Sequence, residues 1–455
     1  MRPSRKLERS PRGERLAAAA VAHPGLLANR DFRLYFVARI VSQLGDQLYV
    51  FAISWFVLDL TRSSFHMAAL LALHSLAVMA VAPFSGLIAD RVSRKKVMVG
   101  TDLLQAAVLL ALLVLRRGGL LSIGALYGGT VLLGLCSAVF LPAATAIVPG
   151  LVGGRRIPEA VAAGQASANF CTILGMLLGG ALYRFIGIGG VLLLNAASNL
   201  IAAAMVSRLR AGGQAGAAGN AGGAGGAPGA RRETVLAAGE LRRFAAELRE
   251  GLARVRADRQ TFGLLLVNTA FTLAVMPIAM VYIPYLFNVL LGAAPLQAAI
   301  PQAATWAGII AGSAAAARLL RRRAPEKLIA GGLLALAAHT LLMVALLAAR
   351  GLLGASWMSA ACALGNAVAG AAGAFFIVPV YAVFHARGAE EFRGRFWGLE
   401  SSLRTAAMCA GFFAGGILAQ RLPLGLLFTA TAVVLLALWV WVARMRPAVT
   451  QQAAG

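Results

Sequence analysis

Twelve times along this chain a nearly unbroken apolar run reaches about 20 residues, the length a helix needs to cross the hydrocarbon of a bilayer at about 1.5 Å per residue. The runs fall at 33–58, 66–89, 97–115, 121–148, 160–183, 188–207, 262–290, 300–320, 327–348, 354–384, 396–420 and 424–443. In lipid, every backbone N–H and C=O must find its partner inside the protein, so segments of this kind fold as helices. The expectation is an all-α integral membrane protein with twelve transmembrane helices. Composition agrees: 60% of the 455 residues are hydrophobic and only 13% are charged, whereas about half apolar is ordinary for a soluble domain.

A formal charge of +25 would suit a nucleic-acid partner if the basic residues formed one face. They are sorted by side instead. Of 42 Lys and Arg, Arg62, Arg116, Arg117, Arg184, Arg350 and Arg421 lie in alternate loops, Arg39 and Arg404 fall inside spans, and the other 34 share one side. Basic loops are held on the cytoplasmic side of a membrane. The expectation is a multi-pass protein of the plasma (inner) membrane with both termini cytoplasmic, and no nucleic-acid partner. No short apolar segment with a small-residue cleavage site follows the basic N-terminus, so no removable signal peptide is expected. Cys136, Cys171, Cys362 and Cys409 all lie in spans without paired spacing or adjacent histidines. They read as small packing residues, with no metal and no cofactor.

Composition also divides the chain. Residues 1–28 form a basic cytoplasmic tail, 29–208 a first six-helix bundle, 209–259 a cytoplasmic linker, 260–445 a second six-helix bundle and 446–455 a second tail. Within the linker, 211–230 is almost wholly Gly and Ala, a flexible tether. After it, Leu241, Phe244, Leu248, Leu252 and Val255 recur at helical steps with arginines between them. That pattern is an amphipathic helix lying either on the membrane face or on the protein's own loops. A repeat supports the division into halves. Pro142 precedes Gly175-Met-Leu-Leu-Gly179-Gly180 as Pro379 precedes Gly411-Phe-Phe-Ala-Gly415-Gly416. Small residues at this spacing let helices approach closely in lipid, and a parallel repeat of this kind places a substrate site near the midplane between pseudo-symmetric halves.

Among residues that carry mechanism, Asp46 stands out, because a carboxylate mid-span costs about 2.5–3.5 kcal/mol on insertion scales. With Gln43 and Gln47 it forms a polar stretch of the first span. It is either a proton carrier or a structural acid bonded to a neighbouring helix. Arg39 lies seven residues earlier, about 10 Å along the axis. It either meets a carboxylate of another span or an anionic part of a substrate, or it snorkels. Glu400 and Arg404 form an acid-before-base pair four apart, read as a gate or as a helix-stabilising pair. Asn169, Asn195, Asn199, Asn268 and Asn366 are interhelical hydrogen-bonding residues. Tyr49, Phe51, Trp55 and Trp306 line a cavity or face lipid. His74 is a proton-relay candidate or a core histidine.

Between the second and third spans stands Gly86-Leu-Ile-Ala-Asp90-Arg91-Val-Ser93-Arg94-Lys95-Lys96. This loop resembles the signature of the major facilitator superfamily, although the family often has Gly where Ser93 stands. The corresponding second-half loop keeps Gly312 and a basic run from Arg318 to Lys327 but has Ala316 in place of the Asp. Within the superfamily, Asn29-Arg-Asp-Phe32-Arg33 leading to Ser42-Gln-Leu-Gly45-Asp46, the stretch from Phe140-Leu-Pro142 to Gly180, and Gly394-Arg-Phe-Trp-Gly398 are similar to bacterial drug:proton antiporters of the macrolide-efflux and enterobactin-exporter type. The resemblance implies twelve helices, alternating access, and proton-driven export of a small hydrophobic or amphiphilic molecule by a monomer in contact with membrane lipid. It also implies a conformational switch at Gly86, Asp90, Arg91, Arg94 and Lys95, and the charges of the loops make Arg393 and Arg395 the candidates to meet Asp90 across the halves. Thr130 stands where antiporters carry an Arg, and Met176 where they carry a Pro, which leaves Asp46 and Arg39 as the candidates for coupling.

The alternatives are a facilitator or symporter for a metabolite, a siderophore or lysolipid carrier, and, more remotely, a polytopic membrane enzyme or sensor. No cluster of catalytic His, Cys or paired acids supports an enzyme, and no phosphate-binding glycine loop points to ATP.

Overall fold

The computed structural model describes residues 25–210, 258–352, 354–387 and 393–445, with 249, 252, 253, 255 and 256 of the intervening stretch. Side chains of 82–91, 155, 387 and 393–395 are outside that description. The basic tail, the Gly/Ala tether, most of the expected amphipathic helix and the side chains of Gly86, Asp90, Arg91, Arg393 and Arg395 therefore lie outside the described residues.

The first helices are α1 (Arg30–Thr61), α2 (Ser64–Arg91), α3 (Arg94–Arg117) and α4 (Ile123–Val152). A helical run Ile157–Ser207 of 51 residues follows, about 76 Å if straight and twice what a bilayer holds. Gly187, at φ 60° and ψ −176°, breaks it, a conformation that a residue with a Cβ rarely adopts. The run is therefore two antiparallel spans, α5 (157–186) and α6 (188–207). The second half comprises α7 (Arg259–Leu290), α8 (Pro295–Leu320), α9 (Pro325–Ala348), α10 (Ala355–Arg387), α11 (Arg393–Arg421) and α12 (Leu424–Arg444).

Local chemistry sets several boundaries. The Asn29 side chain accepts from the amides of Asp31 and Phe32 at 2.9 and 3.2 Å and donates to Leu151 O at 2.7 Å, capping α1 and tying it to the end of α4. Asp258 caps α7 through Gln260 N at 3.1 Å. Within α7, Pro277 and Pro284 lack the amide hydrogens a regular helix needs, and the helix passes through π-helical turns at Ile278–Tyr282 and Leu286–Leu290. Its counterpart α1 has no proline and runs as one α-helix.

The two halves are packed alike. In the first, α1 and α3 lie on the α5–α6 run and α2 on α4; in the second, α11 lies on α7 and α8 on α10. Between halves, α2 meets α11 and α5 meets α8, two contacts related by the pseudo-two-fold repeat. Large apolar side chains such as Leu364, Leu132 and Leu110 face outward, as lipid requires.

The core divides along the membrane normal. At the end carrying the chain termini each half has its own core, around Phe32, Met98 and Phe140 in one and Phe376, Phe384 and Phe396 in the other. At the far end one core spans both halves, joining Phe51, Trp55 and Ala68 to Phe287, Ala299 and Phe428, beside a second core of the first half around Leu58, Leu112 and Leu126. Val255 is buried in the terminal-end core of the second half, with Leu252 packed against it. That end of the expected amphipathic helix thus rests on the protein itself.

Candidate functional site

The glycine repeats position the site. A Cβ on Gly175 or Gly179 would collide with α1, at 2.6 Å from Gln47 Cβ and 3.0 Å from Leu48 O. Gly411 and Gly415 face α7 in the same way, at 2.7 Å from Leu273 O and 2.6 Å from Pro277 Cβ. The third glycine of each motif faces the other half. A Cβ on Gly180 would sit 2.6 Å from Ala299 Cβ of α8, and one on Gly416 would overlap Ala68 of α2.

These contacts bring the far ends of the halves together, and hydrogen bonds fasten them there. Ser64 Oγ donates to Gly416 O at 2.9 Å, Gln420 Nε2 donates to Ser63 Oγ, and Asn288 Nδ2 donates to Asp59 Oδ1 at 2.7 Å. These three hydrogen bonds all lie on the far side of the midplane.

Just below this seal are three cavities with shared walls. One of about 290 Å³ lies in the first half, lined by Asp46, Gln47, Tyr49, His74, Gln105 and Asn195 among others, with Phe412 of α11 on its wall. The second half encloses one of about 160 Å³, whose walls include Trp306, Gln302, His339, Thr340 and Asn366. A slot of about 20 Å³ lies between them, sharing Val50 and Leu71 with the first and Met280 and Gln302 with the second. Phe51 and Trp55 line this slot, stacked at 6.1 Å between ring centroids.

Asp46 is half-buried at the cavity wall and faces Asn195, whose Oδ1 accepts from Ser198 Oγ at 3.2 Å. Near it, within electrostatic reach of Asp46 and of Arg39, is an acid the sequence analysis did not single out. Asp102 of α3 is 1% exposed, and neither carboxylate oxygen receives a hydrogen bond among the described residues. A buried polar group left without a partner is costly to the fold. Arg39 is half-buried with its guanidinium 4.8 Å above the Phe140 ring, a cation–π contact.

Other candidates lie elsewhere. Glu400 is 3% exposed, accepts from Asn268 Nδ2 at 3.1 Å and Tyr381 OH at 3.0 Å, and stands 3.5 Å from Arg404 Nε. The pair therefore joins α7, α10 and α11 inside one half and does not bridge the two. Asn169 accepts from Gln165 Nε2 at 3.3 Å on an exposed face, away from the three cavities. Gln43 is half-buried with its Oε1 unpartnered and lines none of them. Asn199 accepts from Ser42 Oγ at 3.3 Å, and Asn366 donates to Pro301 O at 3.2 Å. Arg94 donates to Ala146 O and Lys95 to Leu209 O, both at 2.7 Å, which fastens the start of α3 to the terminal-side ends of α4 and α6. No group of three His, Cys, Asp or Glu is arranged to hold a metal among the described residues.

A family model described as Major Facilitator Superfamily matches residues 35–366. An uncharacterized MFS-type transporter of Bacillus subtilis (strain 168), YkuC, is 27% identical over 194 residues, 41% of this chain and 43% of that protein. A second from the same organism, YfiS, is 27% identical over 170 residues, 37% of this chain and 40% of that protein. The chain thus spans less than half the length of the curated relatives it matches. Among solved structures, a bacterial homologue of the iron transporter ferroportin in an inward-facing state superposes with a TM-score of 0.71 at 17% identity, covering 93% of this chain and 100% of that one. The nucleoside transporter NupG gives a TM-score of 0.67 at 13% identity, covering 90% of this chain and 99% of that one. At such identities the likeness is one of fold.

Proposed function

Because this chain belongs to the major facilitator superfamily, we propose that it is a proton-coupled exporter of hydrophobic or amphiphilic compounds, working by alternating access in the plasma membrane with both termini cytoplasmic. The observation that carries this reading is the row of three cavities across the midplane, with Asp46 and other polar groups at one end and apolar and aromatic walls at the other. An amphiphile matches that gradient. Its polar or cationic end faces Asp46, and its apolar body lies along the slot toward Trp306.

The far-end seal supports a cytoplasm-facing state, since the terminal-end cores are separate. Substrate enters from the cytoplasm or inner leaflet while Asp46 is ionised. The halves, 29–208 and 260–445 joined by the linker 209–259, then rock about the cavities. Protonation of Asp46 from outside neutralises the carboxylate, weakens its hold on a polar or cationic group and releases the substrate. Return to the first state delivers the proton to the cytoplasm. Asp102, buried without a donor, is a second carboxylate on which that proton can reside.

The loop Gly86 to Lys95 acts as the cytoplasmic latch. Arg94 and Lys95 hold α3 in place within the first half, and Asp90 meets Arg393 and Arg395 when that side closes. The working unit is a monomer in lipid.

The test is accumulation of a panel of lipophilic antibiotics and dyes in cells expressing the protein, its Asp46→Asn variant, or neither, with and without an uncoupler. The expected result is lower accumulation of some compounds with the wild type, abolished by the variant and by the uncoupler. Equal accumulation of every compound with wild type and empty cells refutes the export reading.

A further inference from the structure

The cavity of the second half has chemistry that the exporter reading leaves unused. It is enclosed by α7, α8, α9 and α10, with Leu435 of α12 closing one side, and most of its wall is aliphatic or aromatic. Among the polar side chains that interrupt that wall are Gln302 of α8 and His339 of α9, each 7% exposed. Gln302 Nε2 and His339 Nδ1 make no hydrogen bond among the described residues. Of the neighbouring polar groups, Thr340 donates to Ala337 O at 2.8 Å and Asn366 donates to Pro301 O at 3.2 Å, with the Asn366 side chain also facing the His339 ring.

A buried donor without an acceptor costs about 1–3 kcal/mol, and a ligand that supplies the acceptor recovers that cost. A wholly apolar ligand would fill the volume and leave both groups unpartnered, so the site discriminates against it. The adjustable part of the wall is also here. Met276 and Met280 face the cavity from α7, Met280 within its first π-helical turn, and methionine repacks around ligands of differing shape at low cost.

We propose that this cavity binds the uncharged, apolar part of the transported molecule and selects compounds whose apolar skeleton carries a hydrogen-bond acceptor, a carbonyl or ether oxygen, that meets Gln302 Nε2 with His339 Nδ1 beside it. Only the statement that the ligand is transported rests on the exporter reading. An uncharged probe bound here needs no contact with Asp46, which lies in the other half.

The test uses benzophenone, an uncharged diaryl ketone that inserts into nearby C–H bonds on irradiation, with the full-length protein in nanodiscs and adducts located by peptide mass spectrometry. The expected result is adducts on the α7 wall at Met276 or Met280. Gln302→Leu removes the donor, and adducts at these sites then fall about tenfold, the equivalent of about 1.4 kcal/mol. Gly373→Leu serves as a second variant that leaves every polar group in place. Gly373 lines the cavity and an added Cβ there meets nothing within 4 Å, so the side chain occupies the site without a backbone clash and labelling is lost. Asp46→Asn retains the labelling, and it does so even if Asp46 proves irrelevant to transport, which separates this inference from the exporter reading. Adducts confined to lipid-facing positions, or undiminished by Gly373→Leu, overturn the site. Labelling undiminished by Gln302→Leu in protein that elutes as a single species overturns the selection for an acceptor.

Discussion

Asn288, near the end of α7, gives its amide to Asp59 Oδ1 at 2.7 Å, joining the first helix of one half to the first helix of the other. Tyr183 OH of α5 donates to the second oxygen of the same carboxylate at 2.9 Å. Asp59 is thus engaged on both oxygens at the seal, while Asn288 is 3% exposed. Removing the acceptor strands a buried amide, at about 1–3 kcal/mol. Asp59→Leu and Asn288→Leu are each expected to shift the population toward the far-open state by about fivefold or more. Spin labels at Leu120 and Leu352, which are 72% and 90% exposed in far-end loops of opposite halves, report this as a longer distance component. An unchanged distance distribution in both variants refutes a gating role for the pair.

Gly180 and Gly416 occupy equivalent places in the two repeats and press on the opposite half at equivalent contacts. A leucine at either forces the far ends apart. Both variants are expected to reduce transport at least tenfold with normal membrane insertion, whereas Gly150→Leu, where an added Cβ meets nothing within 4 Å, leaves it near wild type. Transport rates in matched expression levels check this. Strong loss in one variant alone contradicts the pseudo-symmetric reading.

Glu400 supports the fold of the second half by accepting from Asn268 and Tyr381. Glu400→Gln keeps an acceptor oxygen and is expected to lower the melting temperature by only a few degrees. Glu400→Leu leaves two buried donors unpartnered, each costing about 1–3 kcal/mol, and is expected to lower it clearly further. Thermal unfolding of the purified protein followed by intrinsic fluorescence gives both values.

Asp102 should behave oppositely. Its oxygens receive no donor among the described residues, so an apolar replacement removes a buried polar group that nothing compensates. Asp102→Leu is expected to raise the melting temperature while reducing proton-driven transport several-fold, the exchange of stability for activity common at functional sites. A variant that is both less stable and fully active contradicts the proposed role.

The fold was legible because membrane insertion leaves its record in length, hydropathy and basic loops, all local properties of the chain. The division between α5 and α6 is a case in point: the apolar runs part at 184–187, where the structure breaks at Gly187. Asp46 is conspicuous because it follows many apolar residues within one span. Asp102 is more fully buried but stands six residues past the basic Arg94–Lys96 run, so in sequence it reads as part of the interface. Asp59 and Asn288 are 229 residues apart and sit at span ends where polar residues are ordinary. Their pairing is tertiary and leaves no local signal. Glu400 and Arg404 show the reverse limit: their spacing establishes the ion pair, but only packing reveals that Asn268 and Tyr381 hold it inside one half.

Proton coupling through Asp46 is tested most directly in proteoliposomes loaded with a pH-sensitive dye, using the compound whose cellular accumulation the protein lowers most. Adding that compound to one side should move protons the opposite way, and an imposed pH gradient should drive its uptake. In Asp46→Asn both responses should vanish while the compound still binds. Compound flux with no proton movement, or proton movement unchanged in Asp46→Asn, contradicts proton-coupled export through this residue.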